Sequence, residues 1–140
     1  GDEKKFNTMT ASWGGAGVFW GKNVVTCYIR PQRYTKEFVD ANDTFTLSFY
    51  GPECKNALNL CGTVSGRDRD KISEAGLTPY FTEGTAAFEE ANLIFVCRKI
   101  YQDDMPYENF IAKENDAKYY PNKDYHTMYI AEIVKILVAE

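Results

Sequence analysis

The chain has 140 residues, of which 44% are hydrophobic and 15% aromatic, and its formal net charge is −4. This size suits a single domain, 1–140, that buries roughly two-thirds of the surface of its unfolded chain, and the apolar content excludes a disordered chain. The negative charge argues against nucleic acid as a partner, and no apolar run reaches the ~20 residues of a membrane helix, so no membrane partner is predicted.

Cysteine and histidine usage limits metal and disulfide chemistry. The residues concerned are Cys27, Cys54, Cys61, Cys97 and the single histidine, His126. They lack the close paired spacing of a zinc site, so no metal is predicted. Scattered cysteines without a signal peptide predict a cytoplasmic location. Because the chain begins without Met at a turn-like Gly-Asp, we expect an N-terminal segment to be missing.

The first third of the chain predicts a polar loop, a strand and a short helix. Residues 6–13 hold a row of Asn, Thr and Ser, and several glycines follow up to position 21, which is typical of a loop or bulged strand. Residues 24–30 are rich in β-branched and aromatic side chains and predict a strand that Pro31 ends. Thr35 is a suitable N-cap for a helix that runs to about Ala41.

The middle of the chain predicts one strand and one helix. Alternating side chains over residues 45–50 predict a half-buried strand. Residues 53–61 predict a helix with Gly62 as its C′ residue. The side chains expected to face inward from this helix are Ala57, Leu58 and Cys61. Residues 62–70 are polar and predict a loop, and residues 71–75 predict one helical turn.

The last third predicts two long strands, 88–101 and 126–138, that pair antiparallel. The polar, Tyr-rich residues 102–125 between them predict an excursion with one short helix near 107–111. This order of strands with short helices between them favours a barrel or sandwich over a doubly wound sheet.

No signature of a catalytic residue set appears in the sequence. It lacks Gly-x-Ser-x-Gly, the phosphate loop of P-loop proteins and the dinucleotide-binding Gly-x-Gly-x-x-Gly, so no catalytic residue is predicted. The remaining residues suit flavin mononucleotide (FMN), which needs polar partners for its ribityl chain, cations for its phosphate and aromatic walls for its ring. The polar partners are residues 7–12, the cations Arg30 and Arg33, and the walls Trp13, Trp20 and Tyr34.

Four blocks of the sequence, taken in order, resemble motifs of the flavin-reductase-like FMN-binding proteins. They are residues 7–13 (NTMTASW), 30–35 (RPQRYT), 61–71 (CGTVSGRDRDK) and 124–133 (DYHTMYIAEI). Each block alone is weakly specific, whereas their joint order over almost the whole chain is fairly specific. The resemblance implies a mainly β, FMN-binding split β-barrel with short peripheral helices, which forms a homodimer with one FMN per subunit.

Together, the residue chemistry and the resemblance give a set of candidate cofactor-binding residues. These are Asn7, Thr8, Met9, Thr10, Ala11, Ser12, Trp13, Arg30, Arg33, Tyr34, Thr35, Ser65, Gly66, Lys71 and His126. The resemblance implies that the first block lines the ribityl chain and phosphate, that the two arginines and Thr35 hold the phosphate, and that His126 lies near the ring. Members usually carry a helix and a strand before the first block, so we expect this chain to lack that segment. Ala131 also stands where the family commonly has glycine.

Each feature alone also has a structural explanation: an edge strand, solvated charges, a packed histidine or aromatic core anchors. Three functions therefore stay open. The first is an oxidoreductase that passes electrons from NADH or NADPH through FMN to a flavin, metal ion or protein acceptor. The second is a flavoredoxin-like electron carrier that binds FMN without its own nicotinamide turnover. The third is a non-redox barrel module that has lost FMN.

Overall fold

The computed structural model describes residues 1–140 as seven strands and four helices. The strands are β1 (Gly14–Phe19), β2 (Lys22–Ile29), β3 (Thr44–Phe49), β4 (Pro79–Thr82), β5 (Thr85–Phe88), β6 (Leu93–Asp104) and β7 (Thr127–Val138). The helices are α1 (Tyr34–Ala41), α2 (Lys55–Thr63), α3 (Lys71–Glu74) and α4 (Lys113–Tyr119), and two 3₁₀ turns lie at Pro52–Cys54 and Tyr107–Asn109. None of the four helices has the length and apolar character needed to cross a bilayer.

The main sheet has five strands in the order β1-β2-β7-β6-β3, and β4 pairs with β5 in a separate hairpin. All pairs are antiparallel. The largest core cluster is built by the inward side chains of β2, β3, β6 and β7, with Val39 added from α1. Two of its members are the free thiols of Cys27 and Cys97, and burial raises the pKa of each to about 12. The expected mainly β fold with short helices is confirmed.

The long strands β6 and β7 pair antiparallel along their whole length, as expected. The expected bounds 88–101 are wrong, however, because Phe88 ends β5 and β6 begins only at Leu93.

Sequence reasoning missed the β4–β5 hairpin. Its turn at Glu83 and Gly84 has positive φ at both residues (51° and 73°), and a glutamate gives little sequence signal for that conformation.

Glycines shape the first hairpin and the packing of α2. The glycine-rich residues after position 13 form strand β1, which is one of the two expected alternatives, and positive φ at Trp20 (52°) and Gly21 (68°) turns β1 into β2. Gly62 lies inside α2 rather than at the expected C′ position. A Cβ there would lie 3.2 Å from the Cβ of Thr10. Its missing side chain therefore permits a close approach between α2 and the segment before β1.

The excursion 102–125 contains more regular structure than expected. Strand β6 continues to Asp104, and the short helix expected near 107–111 is a 3₁₀ turn at Tyr107–Asn109. Helix α4 was not expected, since its sequence KENDAKY has no apolar stripe. The buried carboxylate of Asp116 explains the helix: it accepts hydrogen bonds from Lys123 and Tyr125, which lie beyond its C-terminus.

Gly14→Ala tests how β1 joins the sheet. Gly14 has φ of +145°, and a Cβ there would lie 2.3 Å from the carbonyl oxygen of Thr26 on β2. We expect the substitution to lower the free energy of unfolding by ~2 kcal/mol or more, because neither the backbone nor the neighbouring strand can relieve the clash cheaply. Urea-induced unfolding measures the change.

The matched control is Gly15→Ala in the same strand, where a Cβ meets no atom within 4 Å. We expect it to change the free energy of unfolding by less than ~0.5 kcal/mol. Equal losses for the two variants would contradict the pairing of β1 with β2 that brings Gly14 against Thr26.

Candidate functional site

The site is organised around the irregular segment 7–13, which the structure pins at three points. The Asn7 side-chain amide donates to the Thr35 hydroxyl on α1 at 3.0 Å, and the Thr10 hydroxyl donates to the Leu58 carbonyl on α2. Met9 packs against the main core cluster. Thr8 stays half-buried, and Ala11 and Ser12 stay exposed. The segment thus keeps a fixed path while some of its hydroxyl and backbone groups remain accessible.

The loop after α2 closes against this segment through Gly66. A Cβ at Gly66 would lie 2.3 Å from Asn7 Oδ1 and 3.4 Å from the ring of Tyr34, so a side chain there would require the Asn7 amide to move. The structure therefore brings together four predicted residues from three separate blocks of the sequence. They are Asn7, Tyr34, Thr35 and Gly66.

Lys71 and Ser65 stabilise the same loop internally. Lys71 is 3% exposed, and its Nζ donates to the carbonyl oxygens of Cys61 and Val64, each at 2.9 Å. Burial lowers the pKa of Lys71. The Ser65 hydroxyl accepts the main-chain N–H of Arg67 at 3.2 Å. Both side chains are thus engaged within the protein, and their contact with a cofactor stays a prediction.

The two predicted arginines have different surroundings. Arg33 is exposed, and its guanidinium has one protein contact, donating to the Gly62 carbonyl at 3.2 Å. Arg30 pairs with Asp124 at 2.9 Å, donates to the Tyr119 carbonyl at 2.8 Å and lies 4.8 Å from the centre of the Tyr120 ring. The charge of Arg30 is therefore largely balanced within the protein, whereas most donors of Arg33 remain available to an anion.

His126 lies beside Trp13, with ring centroids 4.8 Å apart and planes inclined by 36°. Its Nδ1 is 2.6 Å from the hydroxyl oxygen of Tyr120. Burial, reinforced by the nearby charge of Arg30, lowers the pKa of His126 to about 4. The imidazole is therefore neutral at pH 7. The structure puts Trp20 in a different neighbourhood, since its aromatic contacts are with Phe19 and Tyr101 at the tip of the β1–β2 hairpin.

A cavity of about 570 Å³ opens along the segment and extends into the sheet. It is lined by every residue of segment 7–13 and by every residue from Thr44 to Tyr50. Because neighbouring side chains of a strand point to opposite faces, an unbroken run of lining residues means that the cavity follows the free edge of β3. Sequence reasoning missed this contribution, although the alternation over 45–50 had indicated a strand with one apolar face.

The residues of the site fit a phosphorylated ligand with a ring, such as FMN. The donor set combines hydroxyls, amides and the exposed cation Arg33, which are the groups that bind a phosphate ester. The cavity, a cleft bordered by segment 7–13 and strand β3, lies in the usual size range of ligand sites. Trp13 lines this cleft and keeps part of its ring exposed.

Comparison with known proteins gives one family match and several similar structures. The family model described as "Flavin reductase like domain" matches residues 1–140. The solved structure of flavoredoxin from Methanosarcina acetivorans is similar, with a TM-score of 0.76 and 19% identity over 96% of this chain and 62% of that chain. An FMN-binding protein from Thermus thermophilus, solved with p-hydroxybenzaldehyde, has a TM-score of 0.73 and 19% identity over 96% of this chain and 65% of that chain.

A flavin reductase with a split barrel domain from Shewanella frigidimarina is also similar, with a TM-score of 0.75 and 16% identity over 99% of this chain and 63% of that chain. No curated protein sequence matches this chain. The chain thus spans 62% to 65% of the length of these three structures. At such low identities they establish the fold alone, and they confirm the expected split barrel.

The lowered pKa of His126 predicts how stability depends on pH. An unfolded histidine takes up a proton near pH 6.5, whereas the folded one does so only near pH 4. The unfolded state therefore binds more protons between these values, and stability present above pH 6.5 is lost as the pH falls through that window. We expect His126 to contribute roughly 2–3 kcal/mol to the loss between pH 7 and pH 4.

The measurement compares unfolding free energies of the natural chain and His126→Gln across pH 4–8. Carboxylates contribute equally to both profiles, so the difference between them isolates the histidine. Parallel profiles would mean that His126 titrates normally in the folded protein.

Proposed function

The chain belongs to the flavin reductase like domain family, and from that premise we propose that it is an FMN-binding oxidoreductase. In this proposal it passes electrons from NADH or NADPH to a flavin, a metal ion or a redox protein. Bound FMN would supply the electron-transfer chemistry, while the protein binds and orients it. The observation that carries the proposal is the pinned segment 7–13, which faces Gly66 and opens into a cavity of about 570 Å³.

The protein's own contribution is positioning and charge. Arg33 and the accessible hydroxyls of Thr8 and Ser12 would hold the phosphate and ribityl chain, because charge-assisted hydrogen bonds are the strongest that such groups make. Asn7 and Lys71 would act indirectly, by fixing the segment and the loop that border the cleft. Trp13 would cover one side of the ring.

A second candidate function is electron transfer by bound FMN without nicotinamide turnover. The similarity to a flavoredoxin favours it. The third possibility, a barrel that has lost FMN, is an outcome of the first experiment below.

Dimerisation and location are part of the same proposal. Strand β1 and the end of β7 expose apolar side chains, among them Val18, Ile136 and Val138. Such a patch supports a homodimer, because large exposed apolar patches usually mark interaction surfaces. Light scattering of the purified protein tests the dimer directly.

The four free cysteines support a reducing, cytoplasmic location.

The first experiment is an absorption spectrum after loading with FMN and removing the excess. Flavin absorption at about one equivalent per chain supports the cofactor, and its bleaching by NADH or NADPH then favours the reductase over the carrier. A colourless protein rejects both FMN-based functions for these 140 residues.

Arg33→Ala tests the phosphate site. We expect it to weaken FMN binding by roughly 1.5–3 kcal/mol, the range for losing a hydrogen bond to a charged group. The dissociation constant is measured by titration calorimetry. Arg98→Ala is the matched control, since Arg98 is exposed and pairs only with Glu132 on the sheet. An unchanged dissociation constant for Arg33→Ala would contradict the proposed role of Arg33 in binding the phosphate.

A further inference from the structure

The single histidine of the chain lies at the end of a buried aromatic cluster. His126 and Tyr120 are 7% and 3% exposed, and the Tyr120 hydroxyl oxygen lies 2.6 Å from Nδ1. Phe110 and Tyr125 pack on Tyr120, and the Arg30 guanidinium covers its ring. Tyr120 is therefore held firmly, and its hydroxyl has a fixed position next to the imidazole.

The hydrogen bond between Tyr120 and His126 can run in either direction, and the surroundings choose one. A neutral imidazole carries a single N–H. If that proton were on Nδ1, it would donate to the Tyr120 hydroxyl, whose own proton would then have no acceptor, because the structure gives this hydroxyl no second hydrogen-bond partner that could accept it. A buried donor without an acceptor is costly.

The opposite direction satisfies both groups. Tyr120 then donates its hydroxyl proton to Nδ1, so that neither atom of the pair lacks a partner. The imidazole proton must in that case be on Nε2. Burial raises the pKa of Tyr120 and lowers that of His126, so the hydroxyl keeps its proton and the ring stays neutral.

The remaining ring nitrogen is free to bind a ligand. Nε2 makes no hydrogen bond within the protein. It is nevertheless not fully buried, because the one fully buried side-chain nitrogen or oxygen without a hydrogen-bond partner is Asp124 Oδ1. Nε2 therefore keeps some exposed surface, beside the partly exposed ring of Trp13. The charged groups that act on the imidazole are Arg30 and Arg33, which oppose its protonation, and Asp124, which favours it.

We propose that Tyr120 is a positioning residue that locks His126 as its Nε2–H tautomer, so that the site offers one fixed, uncharged N–H donor to an acceptor atom of its ligand. The identity of that ligand as FMN rests on the proposed function, whereas the tautomer does not. A donor of this kind keeps its proton and its neutral charge across physiological pH, so the contact it makes with a ligand does not switch on or off there.

Nitrogen NMR of protein labelled with ¹⁵N-histidine tests the proposal, because the chain has one histidine and hence one ring to observe. We expect the natural chain to show a protonated Nε2 and an unprotonated Nδ1 that do not change between pH 5 and pH 8. In Tyr120→Phe we expect Nδ1–H tautomer to appear and the titration midpoint to move upward. Tyr125→Phe is the control, since its hydroxyl bonds Asp116 instead, and it should retain the natural pattern.

The spectrum of the natural chain can overturn the proposed positioning role by itself, even if Tyr120→Phe fails to fold. An Nδ1–H tautomer of His126, or a titration midpoint of its ring near pH 6.5, would have that effect. A folded Tyr120→Phe that retains both the tautomer and the midpoint also overturns it. Added FMN should shift the Nε2–H signal. If absorbance shows that FMN binds but the Nε2–H signal does not move, the proposed ligand contact is overturned. If FMN does not bind, the proposed function is overturned, and the tautomer is still decided by the spectrum of the ligand-free protein.

Discussion

The candidate site depends on the close approach of three chain segments at two glycines, Gly62 and Gly66. Segment 7–13 is neither helix nor strand, so no ladder of main-chain hydrogen bonds holds it in place. It is held by packing against α2 at Gly62 and against the following loop at Gly66, with a side-chain hydrogen bond beside each contact. A side chain at Gly66 would displace the Asn7 amide, and one at Gly62 would crowd Thr10. These two contacts therefore help to fix the segment that lines the cavity.

The balance of charge at the site follows from which cations the protein already neutralises. Arg30 forms an ion pair with Asp124 and donates to the carbonyl of Tyr119. Lys71 donates to the carbonyls of Cys61 and Val64. His126 is neutral. Arg33 is therefore the predicted cation with most of its donors still available. An anionic group of a ligand would meet this single charge and a set of neutral donors, so affinity would depend on geometry as much as on charge.

Sequence reasoning reached the fold class and the pairing of the two long strands because their patterns are local and repeated. It also singled out segment 7–13, from its row of short polar side chains beside glycines and from the resemblance to a family motif, and the binding role of these residues stays a prediction. It did not separate Arg30 from Arg33, because the partner of Arg30 is 94 residues away at Asp124. It also missed the β4–β5 hairpin and the cavity along β3, which arise from contacts between distant segments that periodicity does not encode.

The buried thiols of the sheet offer a built-in reporter of its opening. Cys27 and Cys97 face the same core from β2 and β6, and a thiol whose pKa is about 12 is almost never a thiolate at neutral pH. Alkylating reagents react with thiolates, so these two positions should stay unmodified for as long as the strands remain together. Their rate of modification would then follow the opening of the barrel itself, and a ligand that closes the cleft would slow it.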